Sequence, residues 1–364
     1  MLILAGVSIN LVLGNNGIIA KAKDAETKSA EASQNDLKGM NALTEEMNNA
    51  LGEKPKVDLS KYKIGDYVNY TYDTAENYKI TSATCGASSN PTAGIPQTTG
   101  LKWRILNIDE ANGTVDLISE NPTRTNVYFE GALGYNNGPY LMNAICEAQY
   151  SNSELNVKAR NINLLDMEKH LTTPGIAARN GYSDSAVQYG KTKTYTDNNS
   201  YYPLLYDGQK GAGVKVTEEN ASTIILPETE MKKGNDPYGE SVETTNPLTD
   251  KTYKQADNKV LTVTQTLYHI PIDATNYGDA GSVLNNYSDD FWVAARFVNA
   301  DSAAFLAGFG LRAAGKYMSG SYVFHANGTS VGTIYNSCCL RPVVSLSSSI
   351  LSDSKDASGA WNLK

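Results

Sequence analysis

The chain has 364 residues, enough for one large domain or two ordinary ones. Lys and Arg total 31 against 39 Asp and Glu, a formal net charge of -8, which disfavours a general electrostatic partnership with nucleic acid. Tyr is abundant (23) and Phe scarce (6), which fits a β-rich extracellular domain with half-buried tyrosines, or a specialised binding face.

The first segment, "MLILAGVSINLVLGNNGII", is almost wholly apolar from Met1 to Leu13, broken only by Gly6, Ser8 and Asn10. It falls short of the roughly 20 apolar residues of a spanning helix. No Lys or Arg precedes Lys21, so it lacks the basic start of a secretory signal. It reads as the downstream half of a longer apolar helix, with Met1 an internal residue. Leu37, Met40, Leu43, Met47 and Leu51 then recur at helical spacing, and Asp24 and Lys28 form an i,i+4 pair. Gly52 is a candidate C-cap and Pro55 a stop. One long helix over about residues 1–53 is expected, giving domain boundaries of 1–54, 55–350 and a tail, 351–364.

The body begins near Val57. "KIGDYVNYTYDT" alternates in strand fashion through Val68, Tyr70 and Tyr72. "LKWRILNIDEANGTVDLISE" predicts a hairpin, Leu101 to Ile108 and Thr114 to Ser119, turning at Asn112-Gly113. A helix is expected in "GPYLMNAICEAQY", with Leu141, Ile145 and Ala148 on one face, and a second in "NLLDMEKHL", with Asn163 as N-cap and Asp166 in its first turn. From Thr173 to Asp290 the chain is polar and loop-heavy, with "KVLTVTQTLYHI" its best strand candidate. The C-terminal part has short strands separated by Gly, Ser and Asn turns, closing on Leu340 to Leu346.

Two resemblances attach to these residues. "LILAGVSINLVLGNNGIIAKAKDA" resembles the N-terminal helix of type IV pilin-like proteins of Gram-positive bacteria, truncated before its basic leader and processing site. "KWRILNID", "NVKARNINLLDMEKHL", "FWVAAR", "YVFHANG" and "LRPVVSL" together resemble a bacterial surface domain with a variant C-type lectin fold. That branch is shared with formylglycine-generating enzymes and the variable proteins of diversity-generating retroelements. The implied fold class is α+β: a long N-terminal helix, then a C-type-lectin-like domain of short antiparallel strands, two helices and long loops. In that fold the first and last strands pair, which would set "DYVNYTY" beside "RPVVSL", with Arg341 in a buried or interfacial salt bridge.

Chemistry in the sequence is thin. The four cysteines, Cys85, Cys146, Cys338 and Cys339, have no zinc spacing, and the three histidines are scattered. Cys85 and Cys146 are candidates for a structural disulfide in an oxidising compartment, two unrelated thiols being the alternative. The enzymatic branch of the resembled family oxidises a substrate cysteine with paired cysteines and copper. Adjacent Cys338 and Cys339 lack its spacing and cannot easily form an ordinary disulfide. No GxSxG motif or phosphate loop is present. "DEANG" at Asp109 to Gly113 lacks the calcium-loop pattern, and the "EPN" and "WND" sugar motifs are absent. No catalytic residue, metal or cofactor is expected.

The candidate binding set lies between Asn299 and Asn336: Asn299, Asp301, Arg312, Lys316, Tyr317, Tyr322, His325, Asn327, Tyr335 and Asn336. Tyr and Asn among Ser and Gly is the chemistry of adaptable recognition surfaces, and ordinary solvated strands are the competing explanation. The resemblance implies a cell-surface or extracellular protein, anchored in a membrane or packed against pilin-like subunits through its helix. Its ligand would be a protein or glycan on another surface, with Ala294 to Cys339 diversified by adenine-directed mutagenesis. A minor pilin-like subunit without a dedicated ligand is the alternative.

Overall fold

A computed structural model describes residues 58–73, 100–123, 126–184, 187–198, 200–203, 253–300, 305–327 and 331–364. The expected N-terminal helix lies outside the described residues, as do Cys85 and Asp301. Among the described residues no helix is long and apolar enough to cross a membrane. The described body is mixed α/β, rich in strands, with few helices.

In chain order the first strands are β1 (Tyr67–Val68), β2 (Trp103–Asp109), β3 (Thr114–Ser119) and β4 (Val127–Glu130). Helix α1 (Gly131–Tyr150), β5 (Ala159–Asn161), α2 (Leu164–Glu168) and α3 (Thr173–Gly181) follow. The middle of the chain carries short pieces: β6 (Ser183–Asp184), β7 (Val187–Gln188), β8 (Thr192–Thr196), β9 (Tyr201–Pro203), β10 (Tyr253–Gln255), β11 (Val260–Thr264) and β12 (Ile270–Pro271). Two single turns, α4 (Ala274–Tyr277) and α5 (Gly281–Leu284), lead into the long strands β13 (Phe291–Asn299), β14 (Phe305–Ala314) and β15 (Tyr317–Asn327). The chain ends with β16 (Val331–Thr333), β17 (Tyr335–Cys338), β18 (Pro342–Ser347), β19 (Leu351–Lys355) and β20 (Trp361–Leu363).

Seven strands form the first sheet, in the order β19-β20-β1-β2-β3-β18-β5. Its centre is the expected hairpin. Gly113 takes φ +62, and Asp109 accepts from the Asn112 backbone at 2.9 Å and from its side-chain amide at 2.7 Å. The local sequence alone specifies this turn. The second sheet runs β12-β15-β14-β13, with β16 beside β15. Every residue of β13 is buried, because the strand is covered on both faces. The apolar core between the layers joins Leu106, Ile118 and Val343 of the first sheet to Phe291, Val293 and Met318 of the second.

The helices follow their caps and glycines. Asn163 and Asp166 form a complete capping box on α2, and Asp166 also takes both Nη atoms of Arg160, at 2.5 and 2.8 Å. Helix α1 begins seven residues before the predicted segment, through the weak helix formers of "GALGYNNG" and across Pro139. Packing overrides propensity there: a Cβ on Gly138 would come within 2.5 Å of Leu311, so glycine lets the helix approach the second sheet. Helix α3 falls in the stretch expected to be loop. Thr172 caps it by accepting from Gly175 at 3.1 Å, and Gly175 lies against the Asn276 backbone.

The sheet order corrects three expectations. "RPVVSL" does not lie beside "DYVNYTY"; β18 pairs with β3 and β5. Only Tyr67 and Val68 of the latter segment form a strand, between β2 and β20. The tail is consequently part of the body: β20 pairs in parallel with β1, and Trp361 Nε1 donates to Asp66 at 2.9 Å. Arg341 makes no salt bridge among the described residues. It is fully buried and donates to the carbonyls of Ser119, Glu120, Val283 and Leu284.

Asp116 on β3 carries a testable charge. Burial opposes its ionisation, but Lys169 Nζ at 2.9 Å and the Ser345 hydroxyl at 2.6 Å outweigh that and hold its carboxyl below the ordinary carboxylate range. A lowered folded-state value stabilises above the unfolded value, about 3.9, and the gain disappears as pH falls through the folded one. Asp116→Asn is expected to cost about 1–3 kcal/mol at pH 7 and to flatten the acid limb of the urea midpoint against pH. An unchanged acid limb would contradict this.

Candidate ligand-binding face

The two faces of the second sheet differ in what they meet. Towards α1, the Phe309 ring meets Tyr135 edge-on at 5.6 Å, and Arg296 Nε donates to the Tyr135 carbonyl at 2.9 Å. On the opposite face the Phe297 ring lies across Gly310 and Gly320, where added Cβ atoms would come within 2.5 Å of it. Tyr322 covers Gly308 in the same manner and meets Phe297 at 5.4 Å. Glycines in β14 and β15 therefore seat aromatic rings flat on the backbone.

The predicted binding residues do not form one face. Asn299 is only 2% exposed; its amide donates to Asp184 at 2.7 Å and to the half-buried Tyr322 hydroxyl. Arg312 is wholly buried, donating Nη2 to the Thr266 carbonyl with its guanidinium 4.6 Å above the Tyr268 ring. These two belong to the packing beneath the face, because side chains from segments distant in sequence cover them. Asn336 is half-buried and donates to the Tyr322 carbonyl. His325 is half-buried, paired through its backbone with Gly308 and Gly332, and burial lowers its pKa. Asn327 ends β15 opposite Phe305, and Tyr335 opens β17 opposite Glu130.

Solvent is reached at the turn between β14 and β15. Tyr317 stacks on exposed His269, with centroids 4.6 Å apart and planes at 19°. The exposed Lys316 ammonium lies 5.6 Å from the rings of both Tyr317 and Tyr287. Tyr287 is 78% exposed, an unusual position for a large ring. Sequence reasoning found Lys316 and Tyr317 but missed His269 and Tyr287. Strand alternation carries the missing signal, since buried Tyr268 and exposed His269 occupy successive positions of one extended segment. A cleft of about 600 Å³ opens elsewhere, on the first sheet, lined by Leu59, Tyr62, Asn107, Asp109, Glu110 and Lys169 among others.

The cysteines sit in the framework. Burial raises the Cys339 thiol to about 11, aided by Asp289 and Asp290, and its Sγ lies 3.2 Å from Asn126 Oδ1. Burial pushes the neighbouring Cys338 up further. Cys146, the expected disulfide partner of Cys85, is a free thiol buried in α1. Its pKa too is raised by burial. Protonated thiols are weak nucleophiles and metal ligands. Among the described residues no group of three or more His, Cys, Asp or Glu is placed to hold a metal ion.

Compared with known proteins, the chain matches no protein-family model, no curated protein and no solved structure. The functional reading therefore rests on the residues themselves.

Thiol alkylation of the native full-length protein at pH 8, mapped by mass spectrometry, is expected to leave Cys146, Cys338 and Cys339 unlabelled until denaturant is added. Fast labelling of Cys339 in the native state would contradict its burial.

Proposed function

We propose that this protein is a bacterial cell-surface or pilus-associated binding protein whose C-type-lectin-like body presents a recognition surface to a protein or glycan. The observation that carries the reading is the group at the β14–β15 turn: exposed Tyr287, Lys316 and His269 with half-buried Tyr317. Two tyrosines, a cation and an imidazole combine apolar area, hydrogen-bonding tips and one positive charge, with little rotamer entropy to lose in the rings. Such side chains dominate binding energy where they are desolvated by a partner.

A diversified segment between Ala294 and Cys339 is part of this proposal, and burial restricts it. Phe297, Phe309, Leu311, Arg312 and Phe324 are buried, so variation there would open cavities or strand polar groups. Lys316, Tyr317, Ser319 and Ser321 are at least partly open to solvent, where substitution costs least. The pilin-like helix would anchor the body in a membrane or a filament.

The test is binding of the full-length protein to glycan arrays and to whole cells. Replacing Tyr287 and Tyr317 together by Ala is expected to weaken binding at least ten-fold, about 1.4 kcal/mol, while the unfolding midpoint stays nearly unchanged. Undiminished binding by that variant would overturn the assignment of the face. Failure of the wild type to bind any surface would favour a structural pilin-like subunit.

A further inference from the structure

Among the described residues two arginines are wholly buried, and the protein treats them differently. Arg341 spends Nε, Nη1 and Nη2 on four backbone carbonyls. Among the described residues Arg312 makes one hydrogen bond, from Nη2 to the Thr266 carbonyl, while Nε and Nη1 find no acceptor. Buried polar atoms are nearly always hydrogen-bonded, and a buried cation without a partner is costly.

The charged groups acting on the adjoining tyrosines, Tyr189, Tyr268 and Tyr277, are Arg312, Arg179 and Glu168. Glu168 is already engaged, by Arg179 Nη1 at 3.0 Å and by the Tyr268 hydroxyl at 3.0 Å. Among the described residues these groups set two cations against one carboxylate in an aromatic setting. Tyr268 lies under the guanidinium at 4.6 Å, and Tyr189 meets Tyr268 edge-on at 5.4 Å. Tyr189 directly follows the short strand β7, and Asp184 of β6 is bonded to Asn299.

We propose that Arg312 is the receptor for one carboxylate of a small ligand, an acidic sugar or the acidic terminus of a peptide. Arg312 Nε and Nη1 donate to the carboxylate, and the tyrosine rings line it. One positive charge matches a monoanion better than a phosphate dianion, and guanidinium donors suit carboxylate oxygens. This site is separate from the exposed β14–β15 turn: Tyr268 and His269 lie on opposite sides of one segment, the first towards Arg312 and the second against Tyr317. It therefore stands or falls independently of recognition at that turn.

The experiment is thermal unfolding of the full-length protein at pH 7 and constant ionic strength, with glucuronate, N-acetylglycine or glucose added up to tens of millimolar. A saturable rise of several degrees in Tm with either carboxylate, and none with glucose, is expected. The larger of the two shifts identifies a sugar or a peptide source. Arg312→Lys should weaken the response at least ten-fold while the far-UV spectrum is kept. Equal shifts with glucose, no shift with either carboxylate, or an undiminished response in the variant would overturn the proposal. Should the variant fail to fold, a crystal structure of the wild type grown with glucuronate decides: carboxylate density against Nε and Nη1 supports the site, and an internal water only overturns it.

Discussion

Everything in the described body hangs on the polar junction of Asn161 and Arg341. Asn161, fully buried on β5, donates to the Trp292 carbonyl at 2.8 Å and accepts from the Arg341 backbone at 2.9 Å, while its own N–H donates to Asn143 at 3.1 Å. Arg341 then gathers the end of β3 and the end of α5. Both sheets and helix α1 thus meet through two side chains. Burial, with Arg104 adding repulsion, lowers the Arg341 pKa to about 9, and the Phe291 ring lies 4.9 Å from the cation. Buried hydrogen bonds of this density specify one arrangement, because any other leaves carbonyls or a guanidinium unpaired.

The junction also bears on the recognition surface proposed for the second sheet. Trp292 is fixed at both ends, its indole donating to the Val127 carbonyl at 2.7 Å and its backbone N–H to the Cys339 carbonyl at 2.8 Å. Strand β13 is buried along its whole length, and β14 and β15 are built outward from it. The turn carrying Lys316 and Tyr317 therefore projects from a frame that is buried and hydrogen-bonded along its length. A rigid mount lowers the entropy lost when exposed side chains meet a partner. Arg312 sits between these regimes: packed like the frame, yet unsatisfied like a site.

Local features were legible in the sequence. The β2–β3 hairpin and the Asn163–Asp166 capping box need only a few neighbouring residues, and they form where the residues predict. The sheet order was not legible, since "RPVVSL" could satisfy its apolar alternation against any strand. The pairing is chosen by Asp116, Ser345 and Lys169 from three separate segments. The same limit applied to the binding set. Asn299 and Arg312 are polar residues on strands, and only the return of Thr266, Tyr268 and Asp184 over them makes them interior. Tyr287 showed no periodicity at all, and its exposure follows from the turn that precedes β13.

The most direct test of this account is native-state amide hydrogen exchange of the full-length protein. The amides of Ile162, Trp292, Ala294 and Arg341, which bridge the strands at the junction, are expected to exchange last and together, at the free energy of global unfolding. Exchange of these amides well before those of β2 and β3 would show that the two sheets open independently, and would contradict the junction as the element on which the fold depends.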